Sequence, residues 1–212
     1  MLSGEEANYY LKVVFLAGLI RPLIRGFFVG LRTRSSWLFI GRGVKIRYRR
    51  NVVLGPFVRL EDYVEVSGLS KNKLRIGSAS RVGAYSKIIV STTINDPGEG
   101  ILIGSNVGIG EFSYIGGAGG VSIGDNTITG QYLSIHPENH TFSGNELIRL
   151  SPVKRQGIYI GENVWIGAKV TILDGSKIGD SCIIAAGAVV RGEFGNNLLI
   201  GGIPAKILKI LE

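Results

Sequence analysis

The stretch Ile160-Gly161-Glu162-Asn163-Val164-Trp165-Ile166-Gly167-Ala168-Lys169-Val170-Thr171-Ile172-Leu173-Asp174-Gly175-Ser176-Lys177-Ile178 places an isoleucine at every sixth residue, and Ile184 and Val190 continue the series. A helix repeats its face every 3.6 residues and a strand every 2, so neither explains the pattern alone. A period of six fits a solenoid in which each hexapeptide supplies one short strand and one corner. Three hexapeptides then close one triangular coil, with the ladder residue of each strand pointing into the prism. Burying each such isoleucine contributes roughly 1.5–3 kcal/mol. A coil cannot bury its own face, so neighbouring coils stabilise one another.

Upstream, the ladder starts near Ile40 and keeps step through Leu54, Leu60 and Val66. Lys71–Lys73 form a polar loop that breaks the register. It resumes at Ile76, Val82, Ile88 and Ile94, and Asp96-Pro97-Gly98-Glu99-Gly100 reads as an outward loop with strong turn chemistry. Ile103, Ile109, Ile115, Ile123, Thr129 and Ile135 follow. The next rung is Ile160, after the widest gap in the chain. Beyond Val190 the ladder closes near Ile200, and Pro204 opens a terminal helix carrying Leu208 and Leu211.

Residues 1–35 are distinct. Tyr9 to Ile20 is apolar apart from Lys12, Arg21-Pro22 interrupts, and Leu23 to Leu31 resumes. Each run is too short to span a bilayer, which takes about 20 residues, and no small-residue cleavage site completes a signal peptide. Two short amphipathic helices with a basic face are expected. Either they cap the open end of the solenoid or they lie in a membrane interface.

The chain of 212 residues is 45% hydrophobic, enough for a sizeable core. Its 32 glycines far exceed the usual share of about 7%. Many follow an aliphatic residue, which suggests corners whose backbone angles only glycine tolerates. One cysteine, Cys182, excludes a disulfide framework and fits a reducing compartment. It lies one coil beyond Val164 and is expected on the same inward rung. The net charge of +8 points to anionic partners. Much of it sits in the first fifty residues without a stacking-aromatic pattern, which favours a phosphate-rich membrane or an anionic cofactor over nucleic acid.

Both histidines, His136 and His140, lie in the widest gap. Imidazole is a natural general base near neutral pH. A helical zinc pair is disfavoured because Pro137 opposes a helix through His136 and His140 and no glutamate follows His136 directly, so no metal is expected.

Ile160–Ala168, Ile172-Leu173-Asp174-Gly175, Ile178-Gly179-Asp180, Ala186-Gly187-Ala188-Val189-Val190 and Gly201-Gly202-Ile203-Pro204-Ala205-Lys206 together resemble the left-handed β-helix acyltransferases. The galactoside and maltose O-acetyltransferase branch is nearest, especially the bacterial polysaccharide O-acetyltransferases. The match is strong over 100–212, weaker over 40–99 and absent over 1–35. The resemblance implies an all-β left-handed parallel β-helix over 36–202 with an active-site loop at 136–158. A helical segment at 1–35 precedes it and a C-terminal helix at 203–212 follows it. It also implies a homotrimer with sites between subunits, acetyl-CoA as acyl donor and a sugar hydroxyl as acceptor; a cytoplasmic location is expected. In such enzymes one loop histidine takes the hydroxyl proton, and the hydroxyl attacks the thioester directly. Ungapped placement from Ile123-Gly124-Asp125-Asn126 falls on His140, whereas the His-Pro pair of some relatives points to His136.

By the same resemblance the Ala168 N–H is the oxyanion donor, and Trp165 walls the thioester channel. Gly167 and Ala186 lie along the pantetheine arm. Lys206, assisted by Arg191, meets the coenzyme phosphates. Glu111, Ser113, Glu138 and Asn139 are the acceptor-side candidates, with Glu138 also placed to orient an imidazole. Gly110 and Ala118 depart from the galactoside branch, which argues against a simple galactoside or maltose acceptor. The basic loop with Arg149, Lys154 and Arg155 suits a larger or phosphorylated glycan. The basic N-terminus suits a lipid-linked acceptor and contact with anionic membrane at its inner face. N-acetylation of a nucleotide-linked amino sugar, and a trimeric scaffold without activity, are the competing readings.

Overall fold

The six-residue period becomes three faces. The computed structural model describes residues 4–33, 35–141 and 147–212. Among these the strands form parallel sheets of nine, seven and seven strands, except that the last strand of the nine-stranded sheet runs antiparallel, and a separate two-stranded ladder stands outside them. Ile160, Ile166 and Ile172 belong to successive faces. Each sits in register with the rung one coil on, as Ile160↔Ile178, Ile166↔Ile184 and Ile172↔Val190. All six are essentially sealed from solvent, as are Cys182 and Val164 on the expected shared rung. Ile94 departs from the ladder. It is 72% exposed, because the chain from Ser91 to Asp96 closes a loop on its own polar groups. The Ser91 hydroxyl donates to the Asp96 carbonyl at 2.9 Å and accepts from the Thr93 N–H at 3.2 Å.

The corners are built differently from the glycine expectation. The left-handed backbone position at the corner between the nine-stranded face and the next is held by Tyr63, Tyr85, Phe112, Tyr132 and Lys169, with φ between 56° and 60°. Such a conformation costs about 1–2 kcal/mol for a residue with a Cβ. Here four aromatic rings stack down the corner at centroid spacings of 5.1, 5.2 and 5.3 Å, and pairs of this kind contribute about 0.5–1.5 kcal/mol each. The glycines that follow the aliphatic rungs do a separate job. A Cβ on Gly124 would lie 2.6 Å from the Gly161 backbone, and one on Gly167 would lie 2.5 Å from the Ala186 nitrogen. These glycines permit close approach of one coil to the next.

The N-terminal segment is one helix, α1 (Gly4–Thr33), running through Pro22, where two were expected. Proline forfeits a helical hydrogen bond, but tertiary packing holds the C-terminal half. Gly26 and Gly30 are buried, a Cβ on Gly26 would collide with the Leu38 carbonyl, and Arg25 Nε donates to the Ile40 carbonyl at 2.7 Å. This half of α1 caps the first coil. The amphipathic character expected of Tyr9–Ala17 falls, apart from Tyr9, on side chains outside the described ones, as do Met1–Ser3, Arg34 and 142–146.

The expected C-terminal helix is a strand. Ala205–Ile210 pairs antiparallel with Leu198–Gly202 and completes the nine-stranded sheet. The last parallel strand would otherwise expose unpaired backbone groups. Ile207 and Ile210 are β-branched and favour the extended chain.

Ile172→Ala should lower the unfolding free energy by about 2–5 kcal/mol, whereas Ile94→Ala should change it by less than about 0.5 kcal/mol. Urea titration of the two variants checks the contrast.

Candidate active site

Surplus chain leaves the prism at one corner, between the two seven-stranded faces. Residues 68–73, 90–100 and 137–157 all lie there, between a strand of one face and the next strand of the other. The coil between the last two insertions turns that corner with only Gly117-Ala118-Gly119-Gly120. A short small-residue turn flanked by two long excursions leaves a hollow of about 340 Å³. Val90 to Thr93 and Asp96 wall one side. Tyr114 and Gly116–Ala118 form the floor. His136 to His140, Val153 and Arg155 wall the other. The gap in the ladder therefore does carry both imidazoles to a cavity.

The second wall is a hairpin. Asn139–His140 pairs antiparallel with Val153–Lys154, in register Asn139↔Lys154 and His140↔Val153. Its return to the prism is fixed by Asp174. That buried carboxylate accepts from the Gln156 N–H at 2.9 and 3.1 Å and from the Gly157 N–H at 3.0 Å.

The two imidazoles are held differently. His140 Nδ1 lies 3.3 Å from the Ser151 carbonyl oxygen. A carbonyl can only accept, so Nδ1 carries a hydrogen, and in the neutral ring Nε2 then holds the lone pair. His136 Nε2 is 2.7 Å from the Ser134 hydroxyl, and its ring stacks on Tyr114 at 5.6 Å. The hydroxyl of Tyr114 has its pKa raised, first by burial and then by the Glu138 charge.

Sequence reasoning missed the ion cluster that joins the two walls. Arg155 donates to Asp96 through both ends of its fork, at 2.9 and 2.6 Å, and to Glu138 at 3.1 Å. The Arg155 hydrogen bond holds the Asp96 carboxyl below its ordinary pKa, and Asp96 likewise raises Arg155. Asp96 and Arg155 are 59 residues apart, too far for any local signal to announce their pairing. The cluster corrects two expectations. Glu138 is committed to Arg155 and does not orient an imidazole, and Arg155 is neutralised by two carboxylates and so is not free for a phosphate.

Asn139 lines the hollow. Ser113 cannot meet an acceptor, for it is 2% exposed. Its hydroxyl donates to the Gly110 carbonyl at 2.8 Å and accepts from the Leu133 N–H at 3.2 Å. Glu111 pairs with Arg81 at 2.9 Å and does not line the hollow. Its own backbone N–H is the first cause of its lowered pKa.

The donor-side candidates lie elsewhere on the same chain. Trp165 stands 54% exposed on the nine-stranded face, between Ile128 and Ile183. Ala168 is at the next corner, where its carbonyl accepts from Gly187 at 2.9 Å, and Gly167 packs on Ala186. A Cβ at Gly187 would meet nothing within 4 Å, so the corner beside Ala168 and Ala186 opens outward. Lys206 is on the terminal strand opposite Gly201, and Arg191 follows the strand Val189–Val190. None of the donor-side residues lines the histidine hollow of its own chain. No group of three metal-ligating side chains occurs among the described residues.

A profile of the family described as bacterial transferase hexapeptide (six repeats) matches residues 157–192. The Saccharomyces cerevisiae protein YJL218W, which carries an acetyltransferase name, is 30% identical over 72% of this chain and 78% of its own length. The chain belongs to the hexapeptide-repeat transferase family, and its fold is the left-handed parallel β-helix of that family. Escherichia coli K12 WbbJ, named for O-acetyl transfer in lipopolysaccharide biosynthesis, is 32% identical over 53% of this chain. The matched segment spans 62% of WbbJ's length and 43% of that of two further bacterial relatives. Among solved structures, the Bacillus cereus N-acyltransferase AntD aligns with a TM-score of 0.59 at 19% identity. It covers 84% of this chain and 83% of AntD, which was captured with an amino-sugar nucleotide and coenzyme A.

Ser113→Ala strands the Leu133 N–H in the interior, while the Gly110 carbonyl keeps the Ser86 hydroxyl at 3.0 Å. It should cost about 1–3 kcal/mol of stability, read by denaturant titration, where Glu111→Gln at the surface should cost less than about 1 kcal/mol.

Proposed function

We propose that the protein is an acetyl-CoA-dependent O-acetyltransferase that modifies a sugar hydroxyl of a bacterial surface polysaccharide, with His140 as general base. The observation that carries this is the His140 imidazole itself, which faces a hollow with Nδ1 on the Ser151 carbonyl and with no partner for Nε2 among the described residues. In this reading the acceptor hydroxyl gives its proton to Nε2 as its oxygen attacks the thioester carbon. The Ala168 N–H stabilises the oxyanion. It donates to no protein group among the described residues. Collapse expels the coenzyme thiolate, which takes the proton back from the imidazolium. Proton transfer of this kind contributes about 10²–10⁴-fold.

The hollow and the Trp165–Ala168–Ala186 track lie apart on one chain, so the complete site needs a second copy, in keeping with a homotrimer. Trp165 walls the thioester arm, and Lys206 with Arg191 supplies positive charge for the coenzyme phosphates. Asn139 serves the acceptor side. The name of WbbJ supports the polysaccharide acceptor. AntD's ligands favour the second reading, acylation of an amino sugar on a nucleotide carrier.

The reading places the protein in the cytoplasm, peripheral to the inner membrane face, acting on a lipid-linked acceptor. No helix among the described residues is long and apolar enough to cross a membrane. Ile24, Phe27, Phe28, Leu31 and Trp37 are all more than half exposed, and the exposed Arg49 and Arg50 lie in a turn packed beside α1. Apolar side chains flanked by cations suit an anionic interface.

Acetyl-CoA consumption with a panel of bacterial glycans and amino-sugar nucleotides tests the chemistry. His140→Ala should lose at least 100-fold in kcat, with His136→Ala within about tenfold, and the reverse order would move the base to His136. Flotation with phosphatidylglycerol vesicles tests the surface. The Phe27→Ser/Phe28→Ser protein should bind several-fold less than wild type, and equal binding would discard membrane contact.

A further inference from the structure

A two-residue ladder is a weak foundation for a catalytic side chain. The ladder pairs are Asn139↔Lys154 and His140↔Val153, continued only by the Thr141 N–H donating to the Pro152 carbonyl at 2.8 Å among the described residues, and isolated hairpins are marginal even when longer. The next cross-strand position down is Glu138 opposite Arg155, and there the pairing becomes ionic, at 3.1 Å. Opposite charges facing each other across an antiparallel pair stabilise it. Arg155 then reaches out of the hairpin and grips Asp96 with a two-point fork, the strongest and most directional form of this contact. Asp96 is presented by a loop that its own Ser91 hydroxyl holds closed. Arg155 is the most covered of the three, with its side chain 22% exposed against 54% and 44% for its partners.

We propose that Arg155 is a positioning residue for His140. Bracketed by Asp96 and Glu138, it straps the hairpin to the 91–96 loop, fixes the His140 ring on the Ser151 carbonyl, and joins the two walls of the acceptor hollow. The functional consequence rests on His140 being the base; the strap itself does not. Partly exposed ion pairs contribute little to global stability, about 0–1 kcal/mol. The strap therefore acts on the geometry of one arm, and its variants should fold.

The chain has two histidines, so a histidine-labelled sample gives two ring spin systems, and His136→Gln assigns them. In wild type the nitrogen spectrum should show His140 locked with its hydrogen on Nδ1. In Arg155→Met and in Asp96→Asn the lock should be lost and the ring should report the tautomer mixture of free imidazole. Arg155→Lys, which keeps a cation for Asp96, should restore at least half of the locked population. Melting temperatures should shift by only a few degrees in all three; if Arg155→Met fails to fold, Asp96→Asn decides alone. A locked ring that persists in the variants, or an unlocked ring in wild type, overturns the proposal. A strap-dependent lock together with full turnover in His140→Ala would leave the strap standing and remove the base assignment instead.

Discussion

Each inward aliphatic side chain has to rest on the rung of the coil before it. That constraint sets everything else. Ile172 cannot slide relative to Ile135 or Val190 without opening a void in a prism whose interior is nearly sealed, and voids of this kind are costly. The length of a coil can therefore change only where the chain leaves the prism. All the large excursions leave at the same corner, so segments far apart in sequence are stacked side by side in space. The hollow is what remains where a short turn, Gly117–Gly120, falls between two long ones.

The same constraint separates rigid parts from adjustable ones. Trp165, Gly167, Ala168 and Ala186 belong to the coils themselves, so their spacing is set by the ladder. His140 is carried on an arm outside the prism, with Asp174 at its root and the Arg155 cluster at its side. In the proposed function, a donor track on rigid coils and an acceptor wall on insertions let one scaffold keep its acyl chemistry while the acceptor varies. Among the described residues that line the hollow the one guanidinium is that of Arg155, and it is held by Asp96 and Glu138.

The ladder was legible from sequence because it is a local period, and Cys182 fell on its inward rung for the same reason. The histidine gap was legible as an interruption of that period. What was misread depended on contacts the period does not encode. Ile94 fits the six-residue count but belongs to a loop closed by Ser91. Ser113 looked like a polar surface residue in a coil, yet its hydroxyl serves the backbone at Gly110 and Leu133. The tail after Pro204 had helix-compatible spacing, but an unpaired sheet edge claimed it as a strand. Pro22 signalled a break that packing of Gly26 on Leu38 overrode. The Asp96–Arg155 pair left no trace, because it exists only once the corner has brought its two insertions together.

A crystal structure of the protein bound to coenzyme A tests the central claim most directly. The arm should run along Gly167, Ala168 and Ala186 of one copy and bring the thiol within hydrogen-bonding reach of Nε2 of His140 on a neighbouring copy. A thiol seated beside His136, or coenzyme held in the separate groove lined by Lys73, Tyr159 and Lys177, would contradict it.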